Sequence, residues 1–182
     1  MPFDPNRHRR RSIRLRGYDY RGAGIYFVTL CTASRACLFG DVVDDEMRLH
    51  PIGAIVREEW LRTPELRPSV ELDEYVVMPN HVHGLLVIND AGPMRASTET
   101  RPVKGLMPGS VGAIVGQFKS VTTKRVRREF GQAGRRLWQR NYFERIVRDE
   151  EALDRIRRYI IANPANWAKD PENPANPGSG IS

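Results

Sequence analysis

The stretch Glu74–Ile88, EYVVMPNHVHGLLVI, decides how this 182-residue chain folds. Two apolar runs, Tyr75–Met78 and Val82–Ile88, flank Pro79-Asn80, where proline fixes φ and asparagine tolerates unusual backbone angles, so the segment predicts a β-hairpin. Its second strand opens with His81-Val82-His83. Because strand side chains alternate between faces, both imidazoles point the same way and Val82 points the other. Two imidazoles on one rigid strand are half of a metal site, since histidine is the commonest ligand for several divalent ions. Leu85 and Val87 continue the histidine face as apolar residues, which places the pair at the rim of something buried, where polar groups need partners.

Outward from the hairpin, the chain supplies one strand and one helix before it and a helix, a strand and a helix after it. Ile25–Thr32, IYFVTLCT, is rich in β-branched and aromatic residues and forms a first strand. A short hairpin or loop follows, through Leu38–Val43 and Met47–Leu49. Pro51 suits a first helical position, and Ile52, Ile55, Val56 and Trp60 recur at helical spacing, which predicts a helix over 51–63. Ser110 caps a second helix with Val111, Ile114, Val115, Phe118 and Val121 on one face. Phe143–Val147 is a last strand, and Asp149 caps a final helix whose apolar stripe is Leu153, Ile156 and Ile160, ended by Asn163-Pro164. The first six major elements are those of a ferredoxin-like α+β domain, an antiparallel sheet with two helices on one face. The last helix is free to cover the other face, the one expected to carry His81 and His83. On it, Tyr159 and Asn163 are four residues apart and so lie on one side.

Length and a 40% hydrophobic content fit a single domain with a real core over residues 25–164. A basic arm (1–24) precedes it, a flexible loop without periodicity (89–110) interrupts it, and a Pro-, Asn- and Gly-rich tail (165–182) that reads as disordered follows it. Lys and Arg total 29 against 22 acidic residues, a net charge of +7 that favours a polyanionic partner, nucleic acid first. No apolar run approaches the ~20 residues of a membrane span, and the N-terminus lacks a signal core, so a cytoplasmic protein is expected. Cys31 and Cys37 are too few for a disulfide framework or a four-cysteine zinc site. Candidate phosphate contacts are Arg10, Arg11, Arg14 and Arg16 in the arm and Lys119 and Lys124 on the second helix. Trp138, Gln139, Arg140 and Tyr142 combine stacking surfaces with donors and suit unpaired bases.

HVH after YVVMPN, the segment GQFKS, the run LWQRNYFERIVRDEEALDRIRRYI and the YIIANP ending resemble the REP-associated tyrosine transposases of the single-tyrosine HUH superfamily, close to the transposases of small insertion sequences. The likeness runs from about Arg16 to Trp167. It implies an enzyme that nicks and rejoins single-stranded DNA at hairpin-forming sites, with a divalent metal, Mg or Mn, and a 5′-phosphotyrosine intermediate. On this chain it implies Tyr159 as nucleophile and His81, His83 and Asn163 as metal ligands. Helical spacing adds Arg155, one turn before the tyrosine on the same side, as a candidate phosphate partner. Other branches of the superfamily carry glutamine or a carboxylate where Asn163 stands. No oligomeric helix face is evident, and a monomer is expected, with a dimer that exchanges tyrosine helices, as in some members of the superfamily, as the alternative. Two alternatives remain: a histidine-triad-like nucleotide hydrolase, against which the third alternating position is Leu85, and a non-catalytic nucleic-acid-binding domain.

Overall fold

The computed structural model describes residues 23–89, 109–131 and 136–176. The arginines of the 1–24 arm and most of the 89–110 loop lie outside the described residues. Among the described residues no helix is long and apolar enough to cross a membrane.

The elements run β1 (Gly24–Cys31), β2 (Gly40–Val43), β3 (Glu46–Leu49), α1 (Pro51–Leu61), the single turn α2 (Thr63–Leu66), β4 (Val70–Val77), β5 (His81–Ile88), α3 (Val111–Phe130), β6 (Phe143–Val147), α4 (Glu150–Ala162) and a 3₁₀ helix (Pro164–Lys169). Four strands form an antiparallel sheet in the order β4-β5-β1-β6, while β2 and β3 pair separately. That order, with β1 and β5 central, is the ferredoxin-like arrangement expected from the element sequence. The β2–β3 turn uses Asp44 and Asp45, both at positive φ (54° and 62°), the twist that matches a two-residue hairpin.

Alternation along the strands sorts the core into two layers. Tyr26, Val28, Leu30, Val82, Leu86 and Ile88 pack beneath α1 and α3 with Trp60, Ile114 and Phe118. Phe27 and Leu85 point to the opposite face, where Leu153 and Ile160 of α4 cover them. Gly84 sits between these sets, and a Cβ there would lie 2.3 Å from the Trp60 ring, so the indole presses directly on the backbone of β5. The helix ends obey their chemistry: Ser110 and Asp149 accept the N–H groups of Ala113 and Ala152, and Gly131 ends α3 in the left-handed conformation.

Two features place α4. Only Arg148 and Asp149 separate β6 from it. On β4 the register shifts between Leu72 and Tyr75, a bulge that sets two residues against one. Asp73 of that bulge accepts from Arg157 Nε at 3.1 Å and Nη2 at 2.7 Å, a forked ion pair across the sheet–helix seam.

The reading of 165–182 as a disordered tail is corrected for its first part. Residues 164–176 form the 3₁₀ helix and successive turns, with Asp170 and Asn173 buried. Asparagine side chains hold them: Asn166 donates to Ala162 O, Asn173 to Trp167 O and Asn176 to Asp170 O.

Candidate active site

The sheet face under α4 holds a cluster built from three elements. β5 supplies His81 and His83, buried at 0% and 4% exposure, with their ring centroids 4.4 Å apart. The end of α4 supplies Tyr159 and Asn163, and the turns after it supply Asp170. His81, His83 and Asp170 each bring a ligating atom within 4.8 Å of the others. Asp170 is the candidate ligand that sequence reasoning missed.

Hydrogen bonds determine which nitrogen of His81 is free. The Asn80 amide donates to the carbonyls of Arg35 (3.0 Å) and Glu172 (2.7 Å), so its Oδ1 must accept from His81 Nδ1, 2.9 Å away. The Nε2 lone pair therefore faces the cluster, buried and without a partner, as does Asn163 Oδ1. Asn163 is oriented in turn by Asp170, whose carboxylate accepts from Nδ2 at 3.2 Å. Two orphaned acceptors beside a second imidazole and a buried carboxylate form a mixed nitrogen and oxygen donor set that fits a divalent cation. Buried polar atoms of this kind are costly without a partner.

His83 is held on both sides. Thr29, its cross-strand neighbour, lies 2.9 Å from Nδ1, and the Tyr159 hydroxyl 3.1 Å from Nε2. Phe27 stacks on the imidazole at 5.4 Å and meets the Tyr159 ring edge-on at 6.2 Å. Tyr159 is nonetheless 45% exposed, so its hydroxyl touches the cluster while its ring stays accessible from outside. Burial and the Asp170 charge raise the phenol above its ordinary pKa, so it holds its proton at neutral pH.

Burial keeps both imidazoles neutral, pushing His81 down to about 3 and His83 well below its ordinary value. Unfolding returns them to about 6.5. As pH falls below that, the unfolded chain takes up protons that the folded chain refuses, so the metal-free protein should lose stability on acidification. Denaturant titrations should show that loss between about pH 6.5 and 4, with a shallower slope for His83→Asn.

The residues singled out for DNA divide. Arg140, exposed, and Gln139, half-buried, lie at the histidine end of the sheet, where Gln139 N–H donates to the carbonyl of Cys31, the partner of His81. Tyr142 donates to Glu144 at 2.7 Å. Lys119 donates to the carbonyls of Gln139 and Asn141, and burial lowers it to about 8. Lys124 is exposed on α3, across the sheet from the cluster. Arg155 is exposed on α4 and paired with Glu151.

Trp138 requires correction as a base-stacking surface. A β-bridge to Thr32 turns it inward, where it is 3% exposed between Phe39 and Phe118. Trp138→Ala should therefore cost about 3–5 kcal/mol of stability, read as a shifted denaturation midpoint, with DNA affinity per folded molecule unchanged. Leu85, where a third alternating histidine would stand, is fully buried against α4.

Residues 103–163 match the family described as "Transposase IS200 like". An uncharacterized protein of Haemophilus influenzae is 38% identical over 169 residues, covering 90% of this chain and 92% of that one. Among solved structures, a REP-associated tyrosine transposase bound to a REP hairpin superposes with a TM-score of 0.58 at 17% identity, over 93% of this chain and 94% of that one.

Proposed function

Because the chain belongs to the family of IS200-like transposases, we propose that it cuts and rejoins single-stranded DNA at hairpin-forming sites through Tyr159. The observation that carries this reading is the contact of a part-exposed phenol with a buried histidine, 3.1 Å from Oη to Nε2, in a cluster that holds two orphaned acceptor atoms. His81, His83 and Asn163 would hold a divalent metal, Mg or Mn, with Asp170 as a further oxygen donor. A metal with open positions supplies charge stabilisation for a phosphate oxygen in such a reaction.

The chain's own groups do the rest. Asn80 and Thr29 fix the imidazole rings, as partners of ligating histidines do, and thereby fix the ligand lone pairs. The Asp73–Arg157 pair and the Leu153, Ile156 and Ile160 stripe hold the helix that carries the nucleophile. Phe27, against both rings, limits how far the phenol can swing. Attack by the phenolic oxygen forms the Oη–P bond as the P–O3′ bond breaks; the proton given up by the phenol is balanced by one gained on the departing 3′ oxygen. The energy of the phosphodiester is kept in the phosphotyrosine, so rejoining needs no nucleotide triphosphate.

Incubation with single-stranded oligonucleotides carrying the inverted repeats that flank the gene, in Mg²⁺ or Mn²⁺, should give a protein–DNA adduct stable on a denaturing gel. No adduct with any hairpin-forming flank would leave the non-catalytic binding domain as the better account.

A further inference from the structure

We infer that the cleft between β6 and α4 seats the unpaired strand next to the scissile phosphate, with Phe143 as a base-stacking platform; the inference rests on the proposed strand cleavage. The cleft encloses about 470 Å³ and is lined by Phe143, Arg145 and Arg148 from the strand side and Arg155 and Ile156 from the helix side. Among the described residues β6 is the edge strand of the sheet, and none of their strands covers that side of the cleft.

Three observations select single-stranded nucleic acid as its occupant. The first is continuity with the nucleophile: Phe27 meets Phe143 edge-on at 6.1 Å and Tyr159 at 6.2 Å, so one ring separates the cleft from the phenol. The second is an aromatic ring left partly open to solvent at the mouth of the cleft. Phe143 is 36% exposed, and a flat ring beside a basic groove is the sequence-tolerant way to hold an unstacked base.

The third is charge. Arg145 and Arg148 have no ion-pair partner among the described residues, whereas the acids nearby are all engaged. Asp149 caps α4 through Ala152 N–H, Glu151 pairs with Arg155 and Glu150 with Arg157. Glu144 is buried and accepts from Tyr142. Two guanidinium groups without an acidic partner among the described residues, one on the edge strand and one in the link that follows it, suit the phosphates of a chain whose bases lie on the ring.

The test uses a fluorescein-labelled twelve-nucleotide oligothymidylate and fluorescence anisotropy on the full chain. Phe143→Ala should weaken binding at least fivefold and Phe143→Trp should restore it. Arg145→Ala with Arg148→Ala should flatten the dependence of log affinity on log salt by about 0.7 for each phosphate that is no longer neutralised. Both positions are surface-facing, and circular dichroism confirms the fold of each variant. Parent affinity and slope in both variants would overturn the inference, as would equal competition by duplex of the same length. So would a dimer that Phe143→Ala dissociates, which would give the cleft to a second copy. The adduct assay judges the cleavage reading separately: an adduct-forming protein whose Phe143→Ala variant binds like the parent refutes the cleft alone, and binding through the cleft without an adduct refutes the reaction alone.

Discussion

Tyr159→Phe is expected to abolish the covalent protein–DNA adduct, with strand cleavage falling by on the order of 10⁴-fold or more, the scale seen when a covalent nucleophile is deleted. The substitution removes one oxygen and leaves the ring against Phe27 and His83, so the fold should be untouched. The chain holds six tyrosines, and the structure narrows them by access and surroundings. Tyr18 and Tyr20 lie outside the described residues. Tyr26 has no exposed surface, and Tyr75 packs near Trp60 on the helix-covered face. Tyr142 is the instructive control, since its hydroxyl is bonded to the Glu144 carboxylate, which would repel an approaching phosphate. Tyr142→Phe should still form the adduct on a denaturing gel; an adduct with Tyr159→Phe and none with Tyr142→Phe would sink the assignment.

His81→Ala and His83→Ala should each reduce cleavage below detection while leaving hairpin affinity within about twofold. Phosphate contacts elsewhere would supply affinity, and the histidines face a buried cluster that DNA could meet only at its rim. Isothermal titration with Mn²⁺ separates the roles: neither histidine variant should bind at micromolar concentrations, and Asp170→Ala should bind about 10–100-fold more weakly than the parent, the scale for removing a supporting group. Unchanged Mn²⁺ affinity in Asp170→Ala would confine that carboxylate to orienting the Asn163 amide. Proportional loss of DNA binding and cleavage in the histidine variants would remove them from the chemistry.

The hairpin and its paired histidines were legible because alternation is a local property: once Glu74–Ile88 is two strands around Pro79-Asn80, the side of each residue follows. Ser110 and Asp149 were legible for the same reason, each cap acting within three residues. Asp170 was not. It sits in a stretch whose proline, asparagine and glycine content ordinarily marks disorder, yet these asparagines bond the backbone and fold the segment. The repeated Asn-Pro-Ala-Asn at 163–166 and 173–176 was the available signal. Trp138 misled because its neighbours are basic and polar; the single bridge to Thr32 that turns it inward is a long-range pairing with no local pattern.

The two-residue link between β6 and α4 is also a leash. Arg148 and Asp149, fully stretched, let the helix start no more than roughly 10 Å from the end of the strand. For the tyrosine helix to serve a neighbouring molecule, β6 would have to peel from β1 and the Asp73–Arg157 fork would have to part. Mixing a chain that lacks the phenol with one that lacks the imidazoles should therefore yield no working hybrid, and under the proposed chemistry each molecule would carry one severed 5′ end at a time. Relocating a DNA segment, which needs two ends in hand, would require two copies acting in parallel or one copy acting twice.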